Sequence, residues 1–66
     1  MWKDSVSRAL RLEQQKVGSI RQMMQQTDNP DRLRAYGQML ADTVEVVTIL
    51  NELLLYKDRK ESDDDG

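Results

Sequence analysis

A chain of 66 residues holds one domain at most, and a domain that small buries only ~60% of its unfolded surface, so it needs a staple. It has no cysteine for a disulfide and no histidine to serve as a general base or zinc ligand, which leaves a protein partner or self-association as the stabiliser. The net charge of −2 hides an uneven distribution. Lys3, Arg8, Arg11, Lys16 and Arg21 outnumber Asp4 and Glu13 in the first part, and ESDDDG closes the chain with four acids.

Residues 2–27 read as the first helix. Trp2, Val6, Leu10, Val17, Ile20 and Met24 recur at spacings of four, four, seven, three and four and fall in one narrow stripe. Glu13 takes the missing place between Leu10 and Val17. Gly18 interrupts a run of good helix formers at a cost of ~1 kcal/mol against alanine, or else permits a close helix contact. Leu12 and Met23 lie about three turns apart and roughly opposite the stripe, where they read as isolated exposed residues or as a minor outward contact.

The segment TDNPD is the break. The Asn29 side chain is placed to accept from a free N–H of the next helix, so Asn29 is the cap. Pro30 takes the first helical position, where its missing N–H costs nothing. Proline also excludes the α region for the residue before it, and Asp31 adds charge of the favourable sign.

Residues 30–58 read as the second helix. Leu33, Gly37 (with Tyr36 beside it), Leu40, Val44, Val47, Asn51 and Leu54/Leu55 make its inner stripe. The β-branched run from Thr43 to Ile49 favours a strand. The capped start, the helix formers from Arg32 to Asp42 and the NELLL continuation favour one unbroken helix, and no second strand exists for it to pair with. Helices of matched length with a short connection imply an all-α fold, an antiparallel two-helix hairpin spanning 1–60. Its core is expected to be Val6, Leu10, Val17, Ile20, Met24, Leu33, Leu40, Val44, Val47 and Leu54. Lys57, Arg59 and Lys60 suit the helix end, and residues 61–66 are expected to be a disordered acidic tail.

Met39, Val46, Ile49, Leu50 and Leu53 are then left over on a face that a surface helix should keep polar. Such a patch marks an interaction site, and these five are the expected partner-binding residues.

Chemistry is sparse by comparison. No serine has a base to activate it, no glycine-rich loop could hold a phosphate, and the acids are scattered on flanks rather than converging as a metal site requires. No catalytic residue, cofactor or metal is expected. Arg8, Arg11 and Lys16 lie off the apolar stripe while Lys3 and Arg21 lie at its edge, so no continuous basic face forms for nucleic acid. The missing cysteine fits the cytosol. The start MWKDSVSRAL has no apolar segment of signal-peptide length, and no stretch approaches the ~20 apolar residues of a membrane span.

The stretch IRQMMQQTDNPDRLRAYGQMLADTVEVVTILNELLLYK resembles the small type III secretion proteins of the YscE/SsaE/EscE group. The shared features are a Gln-rich first helix, a short break at Asn29-Pro30, large residues just after it at Leu33 and Tyr36, and an acid, Glu45, before a branched apolar run. The tail ESDDDG and the start MWKD have no counterpart in that pattern. The resemblance implies a bacterial cytoplasmic co-chaperone that binds a YscG-like helical-repeat protein and helps keep the needle subunit unpolymerised. The alternative is a self-associating helical bundle, a homodimer with a regulatory RNA- or protein-binding role.

Overall fold

In a computed structural model the chain is two helices, α1 (Trp2–Gln25) and α2 (Pro30–Asp65), packed side by side. Backbone is described for residues 2–65 and side chains for residues 2–55. The second helix, expected to end at 58, is helical in its backbone to Asp65, so of the tail expected to be disordered, 61–66, only residue 66 lies outside the described backbone. Among the described residues there is no strand, so the β-branched run of α2 is helical.

The break follows the capping chemistry. Asn29 Oδ1 accepts from the N–H groups of Asp31 (2.9 Å) and Arg32 (3.2 Å), two of the four donors a helix start leaves open. Leu33 N–H donates to the Asn29 carbonyl at 3.0 Å and makes the first helical bond. Upstream, α1 ends at Gln25, two residues earlier than its periodicity suggests. Gln26 N–H is shared between the Gln22 and Met23 carbonyls at 3.2 Å each, and Thr27 leaves the helix so that its hydroxyl accepts from Asn29 N–H at 3.2 Å. The helices are of unequal length, 24 and 36 residues, where matched lengths were expected.

The hairpin is closed by a heptad seam. On α1 the seam positions are Val6, Leu10, Glu13, Val17, Ile20, Met24 and Thr27, alternating by four and three as in a coiled-coil contact, with Trp2, Lys3, Ala9 and Met23 half-buried beside them. On α2 they are Leu33, Tyr36, Leu40, Thr43, Val47, Leu50 and Leu54. Three residues of the expected inner stripe of α2 stand outside it. Val44 is 45% exposed, and Thr43 is buried in its place. Asn51 is exposed, and Leu50 takes the seam position beside it. Leu55, at 64% exposed, stands outside as well. Beyond Leu40 and Val47 the seam uses the residues three on, not those four on, whereas after Leu33 both Tyr36 and Gly37 are half-buried.

Thr43 can be buried because its hydroxyl donates to the Met39 carbonyl at 2.8 Å. That bond satisfies the one polar group valine lacks. Thr48 does the same toward the Val44 carbonyl at 3.0 Å, on the exposed side. The core is thin. Among the described residues only Ile20, at 4% exposed, and Thr43, at 9%, are buried. A two-layer contact of this kind leaves the other seam residues only half-buried, which is the expected limit for so short a chain.

Glu13 occupies a seam position as a half-buried residue. Lys16 Nζ donates to its Oε2 at 3.1 Å, with the lysine side chain 63% exposed and the glutamate 20%. An ion pair so open to solvent contributes at most ~1 kcal/mol. Gly18 is exposed, and an added Cβ there would meet nothing within 4 Å. Close helix approach is therefore not the reason for a glycine at this position.

Candidate functional site

The site is a face of the hairpin rather than a cavity. Seven large apolar residues stand exposed among those described: Leu12 on α1 and Met39, Val44, Val46, Ile49, Leu53 and Leu55 on α2. On α2 they divide into two sets on either flank of the seam. Val44 and Leu55 lie on one flank. Met39, Val46, Ile49 and Leu53, spaced by seven, three and four, form a continuous stripe on the other. The apolar residues of α2 thus extend well around the helix, whereas those of α1 are gathered toward its partner.

A shallow groove of about 430 Å³ shows which flank of α1 shares a side with that stripe. Lys16, Ser19, Ile20 and Met23 line it from α1, and Met39, Asp42 and Thr43 line it from α2. Leu12, one turn before Lys16, lies on the same flank of α1. Leu12 and Met23 are therefore not opposite the seam as their spacing suggested. Met23 is half-buried in the groove, Leu12 is exposed beside it, and both belong to the face that carries the α2 stripe. Their spacing leaves open isolated exposure or a minor outward contact, because each is the sole large apolar residue in its turn on that flank. The eleven-residue spacing between them was the available signal.

The outer edge of α2 beyond the stripe carries the exposed acids Glu45 and Glu52, and the outer edge of α1 carries exposed Arg8.

Of the five expected partner-binding residues, Met39, Val46, Ile49 and Leu53 are exposed on this face. Leu50 is not among them. It is half-buried and belongs to the seam, since it stands three residues beyond Val47. Among the described residues no cluster of three or more metal-ligating side chains occurs, and none of the polar side-chain atoms is buried without a partner. Among the same residues no helix is long and apolar enough to cross a membrane.

The face can therefore offer apolar surface, shape and edge charge. No family model matches the chain, and no curated protein or solved structure matches it either.

Proposed function

We propose that the chain is a non-catalytic helical binding protein, a co-chaperone that docks on a helical-repeat partner of the YscG type in a bacterial type III secretion system. In that role the pair keeps a needle subunit unpolymerised in the cytoplasm. The supporting observation is the exposed stripe Met39, Val46, Ile49 and Leu53. It runs nearly two turns to either side of Val46, and an apolar strip of that form fits a complementary helix groove. The core is too thin to have spared these residues for solubility. Leaving four large side chains in water has a use only if something covers them. The nature of the partner rests on the resemblance of the stretch from Ile20 to Lys57.

Co-expression of the chain with a YscG-like protein and a needle subunit tests this reading. Recovery of a ternary complex is the expected result. Ile49→Asp or Leu53→Asp abolishes recovery while the helicity of the isolated chain is retained, and removal of residues 61–66 leaves recovery intact. Undiminished recovery with both aspartate variants would overturn it.

A further inference from the structure

We propose that the element covering the stripe of Met39, Val46, Ile49 and Leu53 is an amphipathic helix whose apolar side is bordered by lysine or arginine, laid so that its basic edge runs along Glu45 and Glu52. This rests on the reading of the stripe as a docking face and adds the chemistry of what covers it.

The charge pattern of α2 supplies the reason. From Ala35 to Leu55 the helix holds Asp42, Glu45 and Glu52 and no lysine or arginine. All three acids are exposed. Asp42 stands in the groove that Lys16 also lines, and its carboxylate accepts from the Gln38 amide at 3.3 Å. Glu45 and Glu52 have no such company, and among the described residues neither has an ion-pair partner. An acid on a solvated helix is stabilised by a base four residues away, and no base stands within four residues of either glutamate. Each glutamate directly precedes a member of the stripe, Val46 or Leu53. The two lie about 10 Å apart along one side of it. The surplus is local to this edge. Residues 1–60 carry ten basic and eight acidic side chains, a net of +2, so the body of the chain favours an acidic partner and this edge a basic one.

An apolar stripe alone attracts any apolar surface. Charge at its border selects among them, because like charge set against it is penalised. Lysine and arginine suit this border in a second way. Their aliphatic stems lie over apolar surface while the charged heads stay in water, so a stem can cover Val46 or Leu53 while its head meets Glu45 or Glu52. A helix matches a straight stripe with its own apolar positions three, four and seven residues apart. The same two acids turn away nucleic acid and anionic lipid, whose phosphates would lie against them.

Two labelled peptides test the proposal on the full-length chain. One is an amphipathic helix of about five turns with leucine along its apolar stripe and lysine at the bordering positions. The other has glutamate at those positions. Fluorescence anisotropy is expected to show the lysine peptide binding about tenfold tighter, since several exposed pairs are exchanged for like-charge contacts. The gap is expected to close in about 1 M salt. Glu45→Gln combined with Glu52→Gln is expected to remove most of the preference. Asp28→Asn combined with Asp31→Asn removes as much charge from exposed positions at the turn. That site is about 20 Å or more along the hairpin from Glu45, beyond the ~10 Å screening length, so the preference is expected to survive there. Ile49→Asp is expected to abolish binding of the lysine peptide, and circular dichroism confirms that every variant keeps wild-type helicity. Equal affinities for the two peptides, a preference lost alike in both double variants, or no binding of either peptide up to millimolar concentration overturns the proposal. So does a dimer of the 7.7 kDa chain, seen by sedimentation equilibrium, that the lysine peptide fails to dissociate, since a second copy then holds the face. A ternary complex recovered without any charge preference sinks this proposal alone, whereas a charge preference without a ternary complex sinks only the YscG-type partner.

Discussion

Replacing Ile49 and Leu50 by aspartate, one at a time, separates the two faces of α2 at adjacent residues. Ile49 is 55% exposed, so less than half of its burial free energy is in play, about 1 kcal/mol. Isoleucine and aspartate differ little in helix propensity. Ile49→Asp should therefore lower stability by no more than ~1 kcal/mol. Leu50 is half-buried in the seam. Its loss removes ~2 kcal/mol of apolar contact, and the new carboxylate faces α1 without a partner, which adds ~1–3 kcal/mol. The sum, ~3–5 kcal/mol, equals the whole stability expected of a hairpin this small. Urea titrations followed by far-ultraviolet circular dichroism decide the matter. Ile49→Asp is expected to unfold near the wild-type midpoint, while Leu50→Asp is expected to have lost most of its helicity before urea is added. Equal midpoints, or greater damage from Ile49→Asp, would refute the placement of the seam and with it the identity of the docking face.

Further outcomes follow from the same geometry. Gly18→Ala and Gly37→Ala each place a methyl group in open space, so each should raise stability by ~0.5–1 kcal/mol, read as a higher thermal midpoint. Asn29→Ala removes the acceptor for two helix-start donors and should cost ~1 kcal/mol, whereas Asn29→Gly should cost a few tenths. Glu13→Leu trades a solvent-open ion pair for apolar contact at a seam position and should gain ~1–2 kcal/mol. A lower midpoint for Glu13→Leu would show that the glutamate sets the register of the hairpin and is not merely tolerated there.

The face also explains why α2 carries so many β-branched residues. Thr43 is held by a bond to its own helix, Val47 fills the seam, and Val46 and Ile49 stand outside it. Stiff side chains lose little further entropy when a second surface covers them. Val46 and Ile49, the β-branched half of the proposed docking strip, would therefore lose less entropy on being covered than Met39 and Leu53.

The local architecture was legible in the sequence because it is set by neighbours along the chain. Asn29 and Pro30 fix the start of α2 through a cap and a pre-set φ, and the stripe from Val6 to Met24 fixes the inner side of α1. Leu33, Leu40, Val47 and Leu54, one heptad apart, lie inward in either setting of α2. The rest depended on how far α2 is rotated against α1. The rows Tyr36, Thr43, Leu50 and Gly37, Val44, Asn51 flank those four residues almost equally, and a small turn of the helix exchanges them. Hydrophobicity ranks Val44 above Thr43, yet the threonine is buried because the Met39 carbonyl takes its hydroxyl, a bond that composition does not reveal. That rotation places Leu50 in the seam rather than on the face expected to bind a partner. It also brought Leu12 and Met23 to the side of Met39, Val46, Ile49 and Leu53. The sequence by itself determined two helices and a surplus of apolar surface. Only the packing of one helix on the other decided which residues are the surplus, because a face shared by two helices has no counterpart in the periodicity of either one.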